Sequence, residues 1–199
     1  MDDLTARTQQ ELTDIVAVLT ERTGLPSRWS GRVELVPDAQ FQGRKRQICD
    51  IQINAALAAQ DERWPTLTHE ALHSISAGYS GTDFRIMPGW EEGVVEHLQR
   101  QFCSIIFNRL GIGISAADFS ARDKQHQYNK YIDQLNLLRQ ALGYDEQRYD
   151  EQQFFLDLLK IPIRERPAFI FGQGNLLPGQ KRIQFIQLFS SANSVLKDF

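Results

Sequence analysis

Apolar residues recur at helical spacing over residues 4–22, where Leu12, Ile15, Val16 and Leu19 share one face and polar positions fill the other. Gly24 and Pro26 stop that helix. The period then changes. Residues 32–36 and 47–54 read as extended, and in the second Cys49, Ile51 and Ile53 alternate with Asp50 and Gln52, the pattern of a half-buried strand. The turn residues Gln42, Gly43 and Arg44 predict that these two strands pair as a hairpin. From residue 55 the pattern is helical: one helix over 64–77, with Pro65 in its first turn and Gly78 at its stop. A glycine-bearing loop spans 78–89, a long helix 90–110, and further helices are expected at 121–142, 150–160 and 181–197. Helix, strands and then helices predict an α+β fold rather than a doubly wound sheet. One domain over 1–199 is expected, with a helix and small sheet in 1–60, a helical pair in 61–110 and a helical remainder in 111–199.

Composition changes little in this picture. Of 199 residues, 42% are hydrophobic and 24% charged, as in an ordinary globular domain. The net charge of -3 and the scatter of Lys and Arg offer no electrostatic case for nucleic-acid binding. The densest basic run, Arg44-Lys45-Arg46, reads as a solvated turn. Cys49 and Cys103 are far apart in apolar surroundings and read as two buried thiols. No run of eighteen apolar residues predicts a membrane span, and Met1-Asp2-Asp3-Leu4 is not a secretory start. The expectation is a cytoplasmic protein, though a piece of a longer polypeptide would look the same.

The candidate chemistry lies in "THEALHSI". Residues four apart on a helix are about 40° apart around the axis and one turn along it, so His69 and His73 present two imidazoles on one face. Glu70 follows about 100° round, beside a shared ion without joining the histidines. That is the arrangement H-E-x-x-H uses: two nitrogen ligands, and a carboxylate to take a proton from a metal-activated water. Leu67, Ala71 and Ile75 fall on the opposite side, where the helix can pack. The bland alternative is a surface helix with two solvated histidines.

A catalytic zinc also needs a third protein ligand. The metzincin pattern requires Gly at 76 and His at 79, and the chain has Ser76 and Tyr79. The next acidic cluster is "GWEEGVVEHL". Glu92 and Glu96 are four apart, so one can ligate while the other hydrogen-bonds a ligand histidine, whereas Glu91 has Val95 at that spacing and lacks such a partner. A helical wheel argues the other way: Glu91 lies amid the stripe of Val94, Val95, Leu98 and Phe102, and Glu92 at its margin.

These two stretches together resemble the gluzincin branch of zinc metallopeptidases, in particular its small peptidase-MA-like members. Those carry H-E-x-x-H on one helix and a ligand Glu on the next, commonly as W-x-x-E-G-x-A-x-Y. Here Trp90, Glu92, Gly93 and Val95 match, eighteen residues separate His73 from Glu92, and His97 stands where an aromatic is usual. Trp90 is one residue closer to the Glu than in the commonest pattern, and the firm resemblance covers residues 47–100.

The resemblance implies a zincin-like α+β fold and a zinc-dependent peptidase. It implies His69, His73 and Glu92 as Zn2+ ligands, Glu70 as general base, and Glu96 as the acid supporting a ligand histidine. The Glu-Gly pairing of the family motif selects Glu92 over Glu91. It also implies an oxyanion donor from a downstream element, for which Tyr128 is preferred by its spacing to Ile132 and Leu135, with Tyr131 and His126 as alternatives. A packed tyrosine with a satisfied hydroxyl is the structural reading of either tyrosine. In this family the strand before the active-site helix, here 47–54, is an edge strand that pairs with extended peptide, so the expected partner is a peptide or unfolded segment.

His97 reads as structural and His126 as a surface residue. The segment "FGQGNLLPGQKR" spaces Gly174 and Gly179 as a phosphate loop would, but Gln180 replaces the required Lys; it reads as a loop. The competing functional reading is a gluzincin-like scaffold that binds without catalysing, as a regulatory module of a larger protein. A third is a helical structural protein without metal.

Overall fold

A computed structural model describes residues 3–45, 50–144 and 151–198. Along the chain run α1 (Asp3–Thr23), β1 (Val33–Val36), β2 (Gly43–Lys45), β3 (Ile51–Asn54), α2 (Ala55–Ala58) and α3 (Arg63–Ile75). There follow α4 (Gly81–Ile86), α5 (Pro88–Leu110), a 3-10 turn (Ala116–Phe119), α6 (Ser120–Gln125) and α7 (Asn129–Ala141). The chain continues through α8 (Glu151–Leu159), a second 3-10 turn (Ile163–Glu165), α9 (Arg166–Asn175) and α10 (Gly179–Val195). The described residues form a mostly helical α+β arrangement with a small mixed sheet. The residues group into two compact units, Met1–Ser76 with Gln99–Asp123, and Ala77–Leu98 with Lys124–Phe199.

In the first unit, α1 buries Leu12, Ile15, Val18 and Leu19, so Val18 takes the place expected of Val16. Packing of α1 on α3 is pinned by Arg63, whose Nε and Nη2 donate to Glu11 at 2.9 and 2.8 Å. The sheet corrects the expected hairpin. Its order is β1-β3-β2, with β1 parallel to β3 and β2 antiparallel to it. The residues taken for a turn, Gly43 and Arg44, are a strand themselves, and β3 is central rather than an edge. Residues 47–49 of the expected strand lie outside the described residues, Cys49 among them.

The physical reason for β2 is a close approach. A Cβ on Gly43 would sit 2.7 Å from Thr66 Cγ2 and 2.9 Å from Glu70 Cγ, so only glycine lets this strand lie so near α3. Being flanked on both sides, β3 buries Ile51 and Ile53 and also Gln52. Arg44 Nε donates to Gln52 Oε1 at 2.7 Å and Gln52 Nε2 donates to Glu34 Oε2 at 2.5 Å, which satisfies the buried amide. Phe102, Cys103, Ile106 and Phe107 of α5 are buried in this unit, and Phe107 meets Trp64 and Phe119 edge-on.

In the second unit, three expectations change. The loop over 78–89 contains α4, started by Ser80, whose hydroxyl accepts from the Asp83 N–H. The helix expected over 121–142 is two helices, α6 and α7, with Tyr128 as the N-terminal cap residue of α7. The glycine-rich "FGQGN" is not a loop but the end of α9, and α10 begins at Gly179. Position 174 in this helix is glycine because Phe185 occupies the side-chain space: a Cβ there would lie 1.9 Å from Phe185 Cε1. Pro167 sits in the first turn of α9, where its missing N–H costs nothing.

Candidate metal centre

α3 does what its spacing predicts. The Nε2 atoms of His69 and His73 lie 3.1 Å apart, with their rings edge-on at 77°. Two ligand nitrogens held tetrahedrally on one zinc are about 3.4 Å apart, so this pair is close to chelating distance. Around it α3 is almost wholly buried: Leu67, Ala71, Leu72, Ile75, His73 and Glu70 all belong to the core. Glu70 lies against β2, its Oε1 3.0 Å from where a Cβ of Gly43 would stand.

The third candidate donor is Glu92. His69, His73 and Glu92 each offer one ligand atom, and these atoms lie within 4.8 Å of one another. Two imidazoles and one carboxylate are a donor set suited to zinc, so the residues present fit the metal that the sequence suggests.

Glu91 has a different role from either sequence reading. It is buried, and its Oε2 lies 2.8 Å from Nη1 of the equally buried Arg166. The same Nη1 donates to the Trp90 carbonyl at 2.6 Å and Arg166 Nε donates to the Ile161 carbonyl at 3.0 Å. Burial pushes the guanidinium below its usual range, and Glu91 pulls it back. The wheel argument, which put Glu91 amid apolar residues, was right about burial; the partner it lacked comes from α9. No local signal could have shown this, because Arg166 lies far along the chain in a stretch for which no element is expected from the sequence.

Glu96 is buried, with Oε1 3.7 Å from Nδ1 of His126. His126 is thus not the surface histidine expected; its side chain is only 18% exposed. Tyr128 packs its ring 4.9 Å from that of His126 and 5.9 Å from that of Tyr131. Tyr131 is a core tyrosine whose hydroxyl donates to the Asp198 carbonyl. His97 is structural, stacked on Phe155 with centroids 3.6 Å apart and planes 11° apart. Of the residues singled out in the sequence, then, His69, His73 and Glu92 converge, Glu70 stands on the histidine helix against β2, and Glu96 reaches His126.

Comparison with protein-family models, curated proteins and solved structures finds no match. Among the described residues no helix is long and apolar enough to cross a membrane.

Proposed function

We propose that this chain is a zinc-dependent peptidase of the gluzincin type, with a zincin-like arrangement in which α3 carries the histidines and α5 the ligand glutamate. The observation that supports the reading is the convergence of donor atoms from His69, His73 and Glu92. Bound there, zinc supplies Lewis acidity and lowers the pKa of a water to near neutrality. Glu70, one position from the first ligand and lying against β2, accepts the proton of the attacking water and later delivers it to the leaving amine. His69 and His73 bind as neutral imidazoles, so metal retention weakens as acid protonates them.

Glu96, whose Oε1 lies 3.7 Å from His126 Nδ1, is the acid we propose to support a ligand histidine. The substrate is a peptide or an unfolded segment. An extended chain would add along β2, the edge strand lying against α3 at Glu70, in place of the 47–54 strand expected before. Tyr128 remains the oxyanion donor we propose from the family resemblance, with the partly buried His126 beside it.

Metal analysis and a peptide library test this together. One equivalent of zinc should co-purify, and Glu70→Gln should keep the metal while losing hydrolysis by at least about 100-fold. Less than a tenth of an equivalent of zinc would sink the reading. Full metal without turnover on any peptide would instead leave a binding module on the same scaffold.

A further inference from the structure

The buried Glu91–Arg166 pair takes no part in the chemistry above, yet it lies one residue from the third ligand. We propose that Arg166 is a positioning residue for Glu92: through Glu91 and the Trp90 carbonyl it sets the rotation of α5's first turns, so that Glu92 and not Glu91 is offered to the histidines. This rests on the zinc reading of His69, His73 and Glu92.

The argument starts from adjacency. Glu91 and Glu92 are consecutive, so their side chains point about 100° apart, and a rotation of that size would exchange their roles. Both side chains are buried, so neither position tolerates an unpaired carboxylate. Arg166 removes the ambiguity. One guanidinium nitrogen holds both the Glu91 carboxylate at 2.8 Å and the Trp90 carbonyl at 2.6 Å, which fixes a side chain and the backbone of the same turn. Arg166 is itself anchored, with Nε on the Ile161 carbonyl at 3.0 Å.

Other contacts limit sliding of the same turn. Trp90 Nε1 donates to Asn193 Oδ1 at 3.0 Å, and the Gly89 N–H donates to the Leu196 carbonyl at 3.0 Å. Gly93 leaves room for Leu135, whose Cδ1 would be 2.8 Å from an added Cβ. Burying an ion pair is a poor way to gain stability, since apolar residues of similar size often serve as well or better. What a forked guanidinium adds is direction. The pair therefore specifies which acid becomes the ligand.

The test is a cycle on the full chain, reading zinc affinity by competition with a chromophoric chelator and folding by thermal melts. The paired replacement Glu91→Met with Arg166→Leu should keep a cooperative melt and weaken zinc binding about 10- to 100-fold. In a Glu92→Ala background, where zinc affinity is already reduced, the same replacement should cost nothing further. Arg166→Lys covers the case in which the apolar pair does not fold. A single ammonium keeps the charge but cannot hold Glu91, the Trp90 carbonyl and the Ile161 carbonyl together, so it should also weaken zinc only where Glu92 is present. Unchanged affinity, or an equal loss with and without Glu92, overturns the proposal. An unaltered chain that binds no zinc at all instead overturns the metal reading on which it rests.

Discussion

α3 and the first turns of α5 both carry buried polar chemistry, and they hold it by opposite means. On α3 the spacing of His69 and His73 is itself the geometry: four residues of helix bring two nitrogens to 3.1 Å, whatever surrounds them. On α5 spacing decides nothing, because two glutamates stand side by side and either could face the same point. There the choice falls to residues distant in sequence: Arg166 from α9, Asn193 from α10 and Tyr131 and Leu135 from α7, the last two packed onto glycines of α5. Chemistry written in helical periodicity should survive local insult; chemistry written in tertiary contacts should fail when one contact is lost.

The largest effect should come from breaking the α5 clamp on one side only. Glu91→Ala leaves the Arg166 guanidinium fully buried with its carboxylate gone, and an uncompensated buried charge costs about 3–5 kcal/mol. Urea unfolding measures this directly. A loss below about 1 kcal/mol would mean that the charge is relieved by water or by rearrangement, and that the turn is held by its other contacts.

Two glycines sharpen the same contrast at smaller scale. A Cβ at Gly89 would lie 2.5 Å from Tyr131 Cδ1 and 2.9 Å from the Leu196 Cα, a ring and a backbone that cannot step aside. Gly89→Ala should therefore destabilise by about 1–3 kcal/mol through overpacking. A Cβ at Gly43 would meet Thr66 Cγ2 at 2.7 Å and Glu70 Cγ at 2.9 Å, both side-chain atoms. Gly43→Ala should cost about 1–2 kcal/mol, because both are near-backbone atoms of buried side chains that must give way. On the proposed peptidase reading it should also act on catalysis: Glu70 moves, kcat falls, and zinc content is unchanged. If Gly43→Ala lost zinc as readily as activity, the separation between metal-binding and proton-accepting positions on α3 would be wrong.

This contrast also explains what could be read in the sequence. The α+β class and most helices followed from periodicity, and His69, Glu70 and His73 followed from spacing alone. Glu92 needed the resemblance to a known motif, because its environment is built by α7, α9 and α10. The sheet was misjudged for a related reason. Gly43 looks like a turn residue in isolation, and only the proximity of Thr66 and Glu70 shows why a strand there must lack a side chain. α9 was missed because Gly172 and Gly174 weigh against a helix, until Phe185 is seen filling the space beside Gly174. His126 looked like a surface residue because the buried Glu96 beside it is thirty positions away. Local rules recover what neighbours along the chain decide, and they fail where a distant side chain supplies the reason.

A last effect, confined to high pH, separates the two halves of α5. Where the first half buries a charged group beside an opposite charge, Cys103 in the second half is buried as a neutral thiol, with Gln99 Nε2 2.9 Å from its sulfur. Burial, the largest influence, pushes the thiol from 9.0 up to about 11, because the thiolate would be taken out of water. The sign follows from proton uptake. Between these two values the unfolded chain loses the thiol proton while the folded chain keeps it, so rising pH favours unfolding. The contribution is constant below about pH 9 and is lost as pH rises through about 11, with a total of about 2–3 kcal/mol for a shift of that size. Urea unfolding from pH 8 to 11, with chelator present, should show a steeper decline for the unaltered chain than for Cys103→Ala, since other groups titrating in that range are common to both. Parallel declines would mean that water reaches Cys103 in the folded protein, and that the second half of α5 is as open to ionisation as the unfolded chain.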